Sequence, residues 1–74
     1  MIELTIQLQD QPYIELNKLL KLMDVVDSGG MANMLILDGE VSVNNMPVHE
    51  KRKKVRPGDV VQVGNHRILV QTQE

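Results

Sequence analysis

The 74-residue sequence predicts an α+β fold of two helices and about four to five short strands, on three observations. The first ten residues alternate apolar and polar side chains. Residues 13 to 37 carry apolar side chains at helical spacing, and from Val41 onwards short β-branched runs alternate with turn residues. A chain of this length makes one domain, 1–74, and hides only about 60% of the surface that its unfolded form exposes.

Each element follows from a local pattern. Ile2, Leu4, Ile6 and Leu8 alternate with Glu3, Thr5 and Gln7, the period of a strand with one buried face. Pro12 suits the first position of a helix, where a missing N–H costs nothing, and Leu16, Leu19, Leu20 and Met23 then predict helix one over about 13 to 23. In the link Asp24 to Asp27, Val25 or Val26 turns inward. Ser28 caps helix two, whose apolar stripe is Met31, Ala32, Met34, Leu35 and Ile36, and Gly39 is the left-handed stop. The two helices pack as a corner or hairpin, with the small Ala32 allowing close approach. Val41 to Val43 and Met46 to Val48 form a hairpin about Asn44-Asn45, and Pro47 confines the return to an edge. A Pro57-Gly58-Asp59 turn enters a strand over Val60–Val63, Gly64-Asn65 reverses it, and Arg67 to Gln71 is the last strand, with Thr72 to Glu74 fraying.

Charge is distributed unevenly. Five of the six residues from Lys51 to Arg56 (KRKKVR) are basic, although the formal net charge is −2. Outside that run stand Lys18, Lys21 and Arg67 against ten acidic residues. Like charges repel, and a run of them is tolerated where an anion with closely spaced charges sits against it, as a nucleic-acid backbone does. The competing interpretation of KRKKVR is a solvated loop between two strands. With no Phe, no Trp and Tyr13 alone, a platform for stacking successive bases is excluded, so recognition would use charge, backbone amides and shape. That favours folded RNA or a duplex over a loose strand.

Other chemistries find little support. The chain has no cysteine, and His49 and His66 lack a carboxylate cluster at ligand spacing, so no metal site and no cofactor is expected. No nucleophile–base pair emerges: Ser28 is better explained as a cap, and Gly29-Gly30 lacks the spacing and lysine of a phosphate-binding loop. The expectation is a protein that is not an enzyme. Absence of a signal-like amino terminus or a ~20-residue apolar run points to a cytoplasmic protein, and absence of a dimer stripe to a monomer.

The start of helix two is the second candidate anion contact. Exposed N–H groups there carry the positive end of the helix dipole, and Gly29 and Gly30 let a phosphate approach without a Cβ in the way. Its structural alternative is a cap followed by tight packing. Lys18 and Lys21, three residues apart on helix one, share a face that could serve the same anion.

The order LNKLLKLMDVVDSGGMANMLILDGEVSVNN, followed by VRPGD and a strand, resembles the alpha-L RNA-binding motif of the ribosomal protein S-four type. The SGG-x-A form is similar to that of small stand-alone bacterial proteins in the superfamily, and the likeness covers about residues 13 to 63. It implies two helices packed on a small, strongly bent sheet, and binding to structured RNA, often ribosomal, through the helices and neighbouring loops. Carried over by position, the RNA-binding residues are Lys18 and Lys21, Ser28, Gly29 and Gly30, Asn33, Lys51, Arg52, Lys53 and Lys54, with Arg56 from the same basic run. Four departures are visible. Gly29 stands where the wider superfamily has arginine, Asn33 where the subgroup has lysine, Asn45 where the hairpin has glycine, and Glu50-Lys51 where paired arginines precede the lysines.

Two functions follow from different uses of these surfaces. The first is non-catalytic binding of structured RNA by helix one, the start of helix two and the 51–56 loop. The second is a protein-interaction adaptor, in which the basic strip meets an acidic partner and the strand edge near Met46-Pro47-Val48 pairs with another chain.

Overall fold

A computed structural model describes residues 1–72 and has the expected α+β architecture. The elements are β1 (Ile2–Leu8), β2 (Ile14–Glu15), α1 (Leu16–Leu22), α2 (Gly29–Leu37), β3 (Val41–Val43), β4 (Met46–Pro47), β5 (Lys54–Val55), β6 (Val60–Val63) and β7 (His66–Thr72). Five strands form one mixed sheet in the order β1-β7-β6-β3-β4, and β2 and β5 form a separate two-stranded ladder. Among the described residues no helix is long and apolar enough to cross a membrane.

Alternation along each strand sets the two faces of the large sheet. Val43 opposes Val61, Val61 opposes Ile68, and Ile68 opposes Leu4 across the parallel β1–β7 pair. One residue away, Ser42, Gln62, Arg67 and Glu3 make the matching polar row on the other face. The apolar row meets Leu16, Leu19 and Leu20 of α1 and Ala32 and Ile36 of α2 in a single core, with Val26 turned in from the link as expected. Buried Leu or Ile side chains contribute about 1.5–3 kcal/mol each, and this core is what holds so short a chain.

Several local expectations need correction. Pro12 does not open helix one: Ile14 and Glu15 are drawn out as β2, Glu15 is extended at φ −69°, ψ 140°, and the helix begins at Leu16. The stripe expected on α2 is narrower: Ala32 and Ile36, four residues apart, are buried and Leu35 packs partly buried against the core. Met31, Met34 and Leu37 are exposed, so a helix apolar on every side gave no periodicity from which to choose. Thr72 does not fray but pairs with Leu8; the rest of that tail, 73–74, lies outside the described residues. The Asn44-Asn45 turn has φ 53° and 69°, as the two-residue hairpin requires, and Gly39 sits at φ 76° after α2.

Candidate nucleic-acid interface

In the first turn of α1 the N-cap residue Glu15 makes no side-chain cap, and Asn17 Oδ1 accepts from Lys18 N–H at 2.8 Å. The two N–H groups before that of Lys18 are taken by the basic run: Leu16 N–H donates to the Lys53 carbonyl at 2.9 Å and Asn17 N–H to the Lys51 carbonyl at 3.2 Å. Just beyond, Glu15 pairs with Lys54 and Ile14 with Val55 in the β2–β5 ladder. Val55 is fully buried and pins the strip to the core. The run is therefore not a free loop. Its end is a strand, hidden in the sequence because a two-residue ladder leaves no alternation to read and four consecutive cations mask it.

This clamp brings Lys18 and the strip to one side of the molecule. The Glu15 carboxylate lies between them, 3.1 Å from Lys18 Nζ and 3.9 Å from Arg52 Nε. Both cations remain largely in water, with side chains 72% and 81% exposed, so these pairs hold them only loosely. Lys54 Nζ sits 5.0 Å from the centre of the Tyr13 ring, the single aromatic group of the chain, in cation–π range. Beside these groups an open concavity of about 1030 Å³ separates the Gln11–Tyr13 segment from α1, with Lys18 and Lys21 on its wall. Lys21 is three residues on from Lys18 and four from Asn17, so it continues the same flank of the helix.

Asn17 also ties the second helix in. Its side-chain amide donates to Asn33 Oδ1 at 3.4 Å, while its backbone N–H is held by Lys51. Asn33 is one turn into α2, whose start is capped as expected: Met31 N–H donates to Ser28 Oγ at 3.2 Å. A Cβ built on Gly29 would meet nothing within 4 Å, and one on Gly30 only Ser28 Oγ at 3.8 Å. Tight packing does not demand glycine at either position. Lys18, Lys21, Asn33 and Lys51 to Lys54 are thus gathered around Asn17 and Glu15, with Ser28 to Gly30 one turn before Asn33.

Arg56 belongs elsewhere. Its N–H donates to Asp59 Oδ2 at 2.9 Å in the turn leading to β6. The other oxygen of Asp59 accepts from the Asn44 amide at 3.0 Å, and Asn44 Oδ1 accepts from Val60 N–H at 3.0 Å. The Asn44 and Gly58-Asp59 signatures therefore act as a knot between two turns. Sequence reasoning missed Glu15, Asn17 and Tyr13 as parts of this surface. The i,i+3 spacing of Glu15 and Lys18 was a readable signal, but the contacts to Arg52, Lys51 and Lys54 span some 35 residues and had none.

Two helices on a mixed sheet, with a cationic strip clamped across the start of the first, define a small domain of the alpha-L kind. The chain belongs to the S4 domain family, whose model matches residues 6–71. It is 43% identical over 54 residues to the probable ribosome maturation protein RlbA of Bacillus subtilis, covering 73% of this chain and 76% of that protein. To the putative RNA-binding protein YbcJ of Escherichia coli it is 35% identical over 66 residues, covering 89% and 94%. The fold is similar to part of the 30S ribosomal protein S4e of Thermoplasma acidophilum, with a TM-score of 0.60 at 22% identity. That match takes in 78% of this chain and 31% of the ribosomal protein.

Proposed function

We propose that this protein is a non-catalytic, cytoplasmic module that binds structured RNA, ribosomal RNA being the foremost candidate. The binding surface is the flank of α1 with Lys18 and Lys21, the start of α2 from Ser28 to Gly30 with Asn33, and the strip from Lys51 to Lys54. The observation that carries this reading is the clamp of the strip onto α1 through the carbonyls of Lys51 and Lys53. Because carbonyls make the clamp, the cationic side chains are not used to hold the strip, and the contacts of Arg52 with Glu15 and of Lys54 with Tyr13 are loose enough to yield to an outside anion. Membership of the S4 domain family and relatives named for RNA binding and ribosome maturation support it. Arg56 contributes less than the others, since its backbone is tied into the turn with Asp59 and Asn44 rather than to α1. One chain carries the whole surface, so a monomer suffices for binding.

If ~4 to 6 phosphates are neutralised, a log-log plot of affinity against salt should fall with a slope of roughly −0.7 to −0.9 per contact. Replacing Lys51, Arg52, Lys53 and Lys54 by Gln leaves the backbone clamp and Val55 in position. Filter binding to a hairpin RNA should then be nearly abolished with the thermal melt retained. Undiminished affinity in that variant refutes the assignment, and stronger binding to duplex DNA of equal charge refutes the preference for RNA.

A further inference from the structure

Two strands bound the large sheet, and they are not alike. β4 is two residues long and ends at Pro47, which offers an incoming strand almost nothing to pair with. β1 runs seven residues, Ile2–Leu8, and among the described residues it pairs with β7 alone. Of the usual edge protections it has a single charge, Glu3, with no lysine, no proline and an uninterrupted register along its whole length.

The direction of the free backbone groups follows from one bond. Ile2 N–H donates to the Asn65 carbonyl at 2.7 Å, on the β7 side. Even-numbered residues of β1 thus turn their N–H and C=O towards β7, and Glu3, Thr5 and Gln7 turn theirs outward. We propose that two copies of this chain dimerise by antiparallel pairing of β1 with β1, about a two-fold axis at Thr5.

The register is selected by pairing and charge together. Centred on Thr5, Glu3 of each copy opposes Gln7 of the other and Thr5 opposes Thr5, so every outward N–H and C=O of the strand meets a partner. Other registers leave an outward residue facing the second copy beyond its strand, and centring on Glu3 sets two carboxylates opposite each other. On the sheet's inner face the same register brings Leu4 against Ile6 and Ile2 against Leu8 of the second copy. Ile2 is 52% exposed and Leu4 and Ile6 are only half-covered, so the pairing shields apolar surface that the edge leaves open. The contact is isologous and closes on itself, giving a dimer rather than a fibre. Each dimer would carry two cationic surfaces.

Sedimentation equilibrium of the 74-residue chain without RNA tests this independently of what the cationic surface binds. The wild-type chain should show a monomer–dimer equilibrium. Gln7→Lys, which sets a lysine opposite Glu3 twice per dimer, should tighten it by about twofold to about thirtyfold, and Gln7→Glu should weaken it similarly. Thr5→Lys, with like charges meeting on the axis, should give a monomer whose circular dichroism and melt match the wild type, Thr5 being exposed. A chain that stays monomeric at every concentration, a dimer indifferent to the sign at position 7, or growth into larger polymers would each overturn the proposal.

Discussion

Among the described residues Glu15 is the carboxylate that pairs with both Lys18 and Arg52, and its removal should strengthen RNA binding. In Glu15→Gln the backbone pairing with Lys54 is untouched, so the strip keeps its position. The fold loses two ion pairs whose cations stand largely in water while Glu15 is half-buried, each contributing about 0–1 kcal/mol, and the melt should fall only slightly. Against that small loss, two cations 3.1 and 3.9 Å from an internal anion become available to phosphates. One added phosphate contact steepens the salt dependence by roughly 0.7 to 0.9, which at about 0.1 M salt is a gain of roughly 5- to 8-fold, and two contacts roughly 25- to 60-fold. Filter binding of a hairpin RNA across a salt series reads both the affinity and the slope. Unchanged or weaker binding by a variant that melts normally would show that Lys18 and Arg52 do not face the RNA.

Ser28→Asp separates the cap from the anion contact: aspartate caps as well as serine, so stability should hold within about 0.5 kcal/mol, while RNA affinity drops because a carboxylate now occupies the seat. Equal affinity would leave Ser28 with a capping role alone. Gly39→Ala should cost about 1–2 kcal/mol in urea unfolding, from the left-handed backbone at φ 76° and the His49 Nε2 only 3.0 Å from the new methyl. In a His49→Ala background the steric part should be recovered, and an identical loss in both backgrounds would remove His49 from the account.

What the sequence made legible was local. β1, α2 with its Ser28 cap, the Asn44-Asn45 hairpin, β6 and the Gly39 stop all rest on periodicity or turn chemistry within a dozen residues, and the structure has them. β2 and β5 were not legible, because each is two residues long and exists only through the other. Pro12 misled for the same reason: a non-local ladder outcompeted a good local helix start. The parallel partnership of β1 with β7 joins the two ends of the chain, and neither strand's alternation names its partner. On the candidate surface, the cationic residues were visible as types and the conjunction of Lys18 with the strip was expected. The parts that create that conjunction, Asn17 and the carbonyls of Lys51 and Lys53, were invisible because backbone acceptors have no residue signature.

The borrowed cap on α1 has a consequence during translation. A seven-residue helix is too short to persist on its own, and this one receives its terminating acceptors from residues made some 35 positions later. A nascent chain that has emerged only as far as the hairpin has no finished first helix and no strip to lay across it. Closing that long loop has to precede any gathering of charge, so the ability to hold a polyanion arises late in synthesis and in one step with tertiary structure.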